Sequence, residues 1–143
     1  MTALSHPTED ELRALLRAAC TIAVVGASSK PDRPSYGVMR RLQQAGYRIV
    51  PVNPNETEVL GEKAYPTIEA IPGRVDIVDV FRRSEETPPI ANSAVKIGAK
   101  LLWLQEGISN DEAAALARAA GLPVVMDRCL AVAVSIFGIT RAR

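Results

Sequence analysis

The residues best suited to chemistry are four cations and one run of small residues. Gly26, Ala27, Ser28 and Ser29 follow the apolar stretch 22–25 (IAVV), and Lys30, Arg33, Ser35 and Tyr36 come directly after. Four apolar residues rich in β-branched side chains are too few for a helix and predict a buried strand. A strand that ends in a tight small-residue turn and feeds a helix leaves unpaired backbone N–H groups at its carboxyl end. Those groups, with the positive end of the helix dipole, make an anion site, and Lys30 and Arg33 add two full charges. The chemistry this favours is phosphate binding, against the plainer reading of an ordinary strand-to-helix loop with solvated cations. The dinucleotide fingerprint GxGxxG needs three glycines, whereas this loop has one before Gly37, so it is an atypical relative of that turn.

The second pair of cations, Arg82 and Arg83, follows another apolar stretch, 75–81. Arginine at a strand end can grip phosphate bidentately, at about 1.5–3 kcal/mol per charged hydrogen bond. Arg82 is the better placed; Arg83 suits a surface ion pair with Glu85 or Glu86 equally well. Counted together, Lys30, Arg33, Arg82 and Arg83 against Glu106 and Asp127 predict a net positive pocket suited to a polyphosphate.

Other chemistries find little support. An NAD site places an acid at the end of the second strand to hold the ribose diol; Asn53-Pro54-Asn55 stands there, and the first acid is Glu56. Asparagine can still bond a ribose or adenine. The sole histidine, His6, is expected to be solvated. No His, Cys, Asp or Glu cluster has metal-ligand spacing, and neither GxSxG nor HExxH occurs. Cys129 lies beside Arg128, which would lower its thiol pKa, or it is a small core residue. Tyr36 either packs against a base or staples the second helix. Cys20 carries no functional signal, and Trp103 reads as core.

Composition narrows the class. The chain has 143 residues, with 17 basic and 16 acidic side chains, so nothing points to a nucleic-acid surface, and scarce aromatics weaken base stacking. Two distant cysteines fit reduced thiols rather than a disulfide framework. No stretch reaches the ~18 apolar residues of a membrane span, and the N-terminus lacks an apolar signal. A single cytoplasmic domain spanning residues 1–143 is expected, without nucleic-acid or membrane partners and with its protein partner undetermined.

These residues need elements to position them. Thr8 and Glu11 have capping-box spacing before a leading helix that carries Leu12, Leu15, Leu16 and Ala19 on one face. Ser35 is expected to cap a second helix ending at Gly46. Residues 47–53 read as a strand, 57–65 as holding a short strand, and 67–70 as one helical turn. After the strand 75–81, Thr87 is expected to cap a helix opened by Pro88 and Pro89 and closed by Gly98. Strand 100–104, a helix from a Ser109/Glu112 capping box to residue 120, and strand 123–126 follow; the apolar tail 130–139 fits helix or strand. Strands alternating with helices predict an α/β fold: a Rossmann-like, doubly wound parallel sheet in three layers with an extra N-terminal helix. In that architecture the strand-to-helix loops, 26–29, 53–54, 82–83, 105–107 and 127–129, crowd one crevice at the carboxyl edge.

The runs VVGASSKPDRPSYGVMRRL, GYRIVPVNPN, VDIVDVFRRSEE, GAKLLWLQEGI and VVMDRC, in this order over roughly residues 10–129, resemble the stand-alone CoA-binding proteins. These are similar to the N-terminal CoA-binding domain of the succinyl-CoA synthetase α-subunit. The resemblance implies coenzyme A or acyl-CoA as the ligand, with Gly26, Ala27, Ser28, Lys30 and Arg33 at its phosphates. It also implies Asn53 and Pro54 by the nucleotide, Phe81 and Arg82 beside the diphosphate, and Gln105, Gly107 and Ile108 along the pantetheine arm; Ser35 and Tyr36 complete the expected set. The synthetases' phosphorylated histidine and ATP-binding parts have no counterpart in this sequence, which implies binding without a complete catalytic apparatus. The tail LAVAVSIFGITRAR departs from the basic and acidic tail common among the small proteins. An NAD(P)-dependent oxidoreductase fragment and a regulatory subunit with a relic crevice are the alternatives.

Overall fold

A computed structural model describes residues 6–140. Helix α1 (Glu9–Ala18) opens with the expected capping box: Glu11 N–H donates to Thr8 Oγ1 at 3.0 Å, and Thr8 N–H donates to the Glu11 carboxylate at 2.8 Å. There follow β1 (Thr21–Val25), α2 (Pro34–Gln44), β2 (Arg48–Val52), the short β3 (Glu58–Val59) and β4 (Glu62–Lys63), and β5 (Ile77–Val80). The chain continues through α3 (Thr87–Lys96), β6 (Leu101–Leu104), α4 (Asp111–Ala119), β7 (Val124–Val125) and α5 (Leu130–Ile136).

Within the described residues, five strands form one wholly parallel sheet in the order β2-β1-β5-β6-β7. Strands β3 and β4 make a separate antiparallel pair. The chain winds from β1 outward to β2, then crosses back to β5 and continues the other way. The winding therefore reverses between β1 and β5, and a crevice opens beyond their carboxyl ends. All five residues of β1 are buried, as expected of a central parallel strand.

Side chains alternate between two cores. Ile22, Val24, Ile77, Leu101 and Trp103 pack with Leu12 and Leu16 of α1, Met39 and Leu42 of α2, and Leu130 and Val134 of α5. Ala23, Val25, Val78, Val80, Leu102 and Leu104 pack on the other face against Ala91 and Ala94 of α3 and Ala113, Ala114 and Ala117 of α4. Three layers result, as expected. The apolar tail resolves into helix α5, whose Leu130, Ala131, Ala133 and Val134 are buried while Val132 and Ile136 are exposed.

Three caps sit elsewhere than expected. Pro34 takes the first helical position of α2 with Arg33 as the N-cap residue, and Ser35 turns inward, 3% exposed, to accept from Ser28 N–H. Residues Ser84–Glu86 form a 3-10 turn that runs into α3, which leaves Thr87 inside the helix donating to the Ser84 carbonyl at 2.7 Å. Asn110, not Ser109, caps α4 by accepting from Ala113 N–H at 2.8 Å; Ser109 N–H is spent on Ser84 Oγ. The region 57–65 holds two short strands rather than one.

Two carboxyl groups of the β5 region are buried with opposite consequences. Asp76, at the entry to β5, accepts from the N–H groups of Cys20 and Thr21 at 2.8 and 3.0 Å and from Arg74 Nε at 3.1 Å. Burial pushes its pKa up, but the two backbone donors and Arg74 together outweigh it and hold the carboxyl below its ordinary value. Asp79, in the middle of β5, is fully buried and neither carboxyl oxygen has a hydrogen-bond partner. Desolvation alone raises its pKa well above the ordinary value.

Asp76→Asn is expected to cost about 1.5–3 kcal/mol in urea unfolding at neutral pH. With the folded pKa depressed, Asp76's contribution is present above the unfolded pKa and lost as pH falls through the folded one, so the deficit closes in acid. Asp79 carries the opposite sign: its raised folded pKa means stability present in acid and lost as pH rises through that pKa. Asp79→Asn is therefore expected to flatten the fall of melting temperature toward alkaline pH relative to wild type, and parallel pH curves would contradict that.

Candidate functional site

The site begins at Gly26, where β1 ends. Its φ is +86°, a conformation that suits glycine, and its N–H donates to the Val52 carbonyl of β2 at 2.9 Å. A Cβ there would stand 2.7 Å from the Phe81 carbonyl oxygen and 3.1 Å from Arg82 Cδ. Gly26 thus lets the loop after β1 touch the loop after β5, and residues 55 positions apart share one rim.

The loop after Gly26 is tied by its own side chains. Ser28 N–H donates to Ser35 Oγ at 3.1 Å, Ser29 N–H to Glu56 Oε2 at 2.9 Å, and Lys30 N–H to Ser28 Oγ at 3.1 Å. Ser29 Oγ also donates to Glu56 Oε2 at 3.1 Å. The expected unpaired N–H groups at these three positions are instead engaged, a correction to the sequence reading. Asn53 fixes the neighbouring loop: its amide donates to the Ala27 carbonyl at 2.8 Å and its Oδ1 accepts from Asn55 N–H at 2.9 Å.

Two clefts meet at Gly26. The larger, ≈ 770 Å³, runs past Ser28, Lys30, Arg33, Ser35, Asn53, Phe81, Gln105, Ile108 and Cys129. The smaller, ≈ 470 Å³, is walled by Val25, Val52, Pro54, Ile68, Pro89 and Ile90, with Arg82 at its rim. Both volumes lie within the roughly 300–1,000 Å³ typical of small-molecule sites. Gln105 is buried, and its Oε1 accepts from Leu130 N–H at 3.1 Å, which pins the start of α5 to the cleft wall.

Charge at the site differs from the expected excess of cations. Lys30 and Arg33 in the larger cleft face Glu56 and Glu106, so two cations meet two carboxylates. Arg82 Nε donates to Glu86 at 2.8 Å, and Arg83, exposed and lining neither cleft, pairs with Glu86 and Glu85. The hydrogen bond from Arg82 lowers the pKa of Glu86; desolvation opposes it, and the charge of Arg82 and the contact with Arg83 assist. Asp127 accepts from Gly107 N–H at 2.7 Å.

Of the residues singled out from sequence, Gly26, Ser28, Lys30, Arg33, Ser35, Asn53, Phe81, Gln105 and Ile108 line the larger cleft, while Pro54 and Arg82 line the smaller. The Ala27 side chain is buried in the core, and Tyr36 and Gly107 line neither cleft. Cys129 is half-buried: it packs against the first core and also lines the larger cleft. Glu56 and Val38 were not anticipated; no local pattern signals that an acid 27 residues on turns back to Ser29. Among the described residues no group of three or more His, Cys, Asp or Glu could hold a metal, and no helix is long and apolar enough to cross a membrane.

A parallel sheet wound in both directions, with a two-lobed cleft at its reversal point, defines a Rossmann-like fold, and the cleft lies where such folds bind ligands. Comparison with known proteins sharpens the class: residues 20–135 match the CoA binding domain family, and the chain belongs to it. It is 42% identical over 130 residues to the uncharacterized protein YneT of Bacillus subtilis, covering 91% of this chain and 96% of that one. A hypothetical protein from Pyrococcus horikoshii has the same fold, with a TM-score of 0.89 at 38% identity over 93% of this chain and 94% of the other. A stretch of 57 residues is 46% identical to subunit alpha of the ADP-forming acetate–CoA ligase II of Pyrococcus furiosus, covering 39% of this chain and 12% of that subunit.

The approach at Gly26 has a direct test. Gly26→Ala is expected to cost at least ~1–2 kcal/mol for the left-handed backbone alone, and more from the contact with the Phe81 carbonyl. Gly37→Ala, in α2 with nothing within 4 Å of its added Cβ, should instead stabilise by about 0.5–1 kcal/mol. Equal urea midpoints for the two variants would contradict this geometry.

Proposed function

We propose that the two clefts together bind coenzyme A or an acyl-CoA, with the diphosphate lying over Gly26 between the Ser28–Lys30 loop and Arg82. The observation that carries this is that Gly26 lines both clefts at the point where the absence of a Cβ lets the loop after β1 close onto Phe81 and Arg82. Lys30 and Arg33 flank it on one side and Arg82 on the other. The apolar walls of Val25, Pro54, Pro89 and Ile90 suit an adenine, and the longer cleft past Phe81 and Ile108 suits a pantetheine arm. Ala27, Ser35, Tyr36, Asn53, Gln105 and Gly107 belong to this reading as residues that shape the loops. Asn53 and Gln105 do so visibly, since their side chains already hold the Ala27 carbonyl and α5.

Membership of the CoA binding domain family supports the ligand. The ligase relative shares only a small part of its length, so its reaction is not carried over; binding without a catalytic apparatus is the function inferred here. A single cytoplasmic domain suits the charge balance and two cysteines, Cys20 and Cys129, that are not joined in a disulfide. The alternative, NAD, is disfavoured by the loop after β2: Asn53 stands where an acid would hold the ribose, and the first acid, Glu56, is bound to Ser29.

Titration calorimetry with CoA, dephospho-CoA, NAD and NADP is expected to rank CoA tightest, and tighter binding of NAD would overturn the assignment. Lys30→Ala and Arg82→Ala should each weaken CoA by about tenfold or more, the value of one charged hydrogen bond. The melting temperature without ligand should hardly move, because both side chains are exposed. A large loss of stability with unchanged affinity would assign these residues to the fold instead.

A further inference from the structure

The three loop N–H groups nearest a bound phosphate are satisfied within the chain, two by hydroxyl oxygens and one, that of Ser29, by the Glu56 carboxylate. We propose that Glu56 determines the specificity of the cleft: it is a resident anion that holds both donors of Ser29 and yields them only to a polyphosphate ligand anchored elsewhere in the two clefts. This rests on the coenzyme A reading above.

Glu56 Oε2 receives the Ser29 N–H at 2.9 Å and the Ser29 hydroxyl at 3.1 Å, the two donors an incoming phosphate oxygen needs. Charged bonds of this kind are stronger than neutral ones. A free phosphate or sulfate ion would exchange one anion for another at Ser29 and gain little. A ligand with its base between Pro54 and Ile90 and its arm beside Ile108 is already tethered, so its phosphates reach Ser29 at high effective concentration. Small anions are rejected, and the extended cofactor is admitted.

Release needs only a side-chain rotation. Glu56 N–H donates to the Asn53 carbonyl at 3.2 Å, so the backbone of the turn stays in place while the carboxylate swings away. Lys30 and Arg33 line the same cleft, and they balance Glu56 and Glu106 in the absence of ligand. Neutralising Glu56 leaves the cleft with one net positive charge, which favours any anion.

The test compares wild type with Glu56→Gln and Glu56→Ala by calorimetry, using CoA and inorganic pyrophosphate, with melting temperatures as a check on folding. Both variants are expected to bind CoA roughly tenfold tighter than wild type, and to bind pyrophosphate that wild type ignores. CoA affinity unchanged or weakened in both variants, with pyrophosphate still excluded, would overturn the role of Glu56 while leaving CoA as the ligand. Pyrophosphate bound by the variants, with CoA bound by neither variant nor wild type, would leave Glu56 as the anion gate and overturn the coenzyme A reading.

Discussion

The register between β1 and β5 fixes the geometry on which the rest depends. At one end Asp76 locks it: its backbone N–H donates to the Thr21 carbonyl at 2.9 Å, and its carboxylate takes the N–H groups of Cys20 and Thr21. At the other end Phe81 N–H donates to the Val25 carbonyl at 2.8 Å, just where Gly26 presses against the Phe81 carbonyl. A one-residue slip would turn every side chain of the strand to the opposite core and carry Arg82 away from the loop. The crevice exists because two strands that the winding separates are clamped at both ends.

From that clamp the site is assembled by loops of modest length. The loop after β1 brings cations, the one after β2 brings Asn53 and Glu56, and the one after β5 brings Arg82 with its partner Glu86. The loop after β6 brings Gln105, which reaches across to the first turn of α5. Loops are braced by side chains from one another, with one carboxylate and two hydroxyls holding the N–H groups of Ser28, Ser29 and Lys30. On the proposed reading a phosphate would take over some of these donors, and affinity would reflect the difference between two anions.

Much of the fold was legible in sequence because its signals are local. Short β-branched runs, amphipathic helical faces and the glycines after α2, α3 and α4 identified the sheet, its layers and the edge where the loops gather. Ser35 and Thr87 were misplaced as caps because their hydroxyls bond to residues outside their own helices, and Ser109 because the next residue, Asn110, takes the cap. Charge at the cleft was misjudged because the Glu56–Ser29 contact spans 27 residues, whereas the pairing of Arg83 with Glu85 and Glu86 was one of the two readings the sequence offered. Side-chain types predicted which loops meet; only the folded geometry shows which donors are already satisfied.

A crystal structure of the protein soaked with CoA tests the central claim most directly. The account predicts diphosphate density over Gly26, within hydrogen-bonding distance of both the Ser28–Lys30 loop and the Arg82 guanidinium. Diphosphate density away from Gly26, with CoA bound and the loop unaltered, would contradict it.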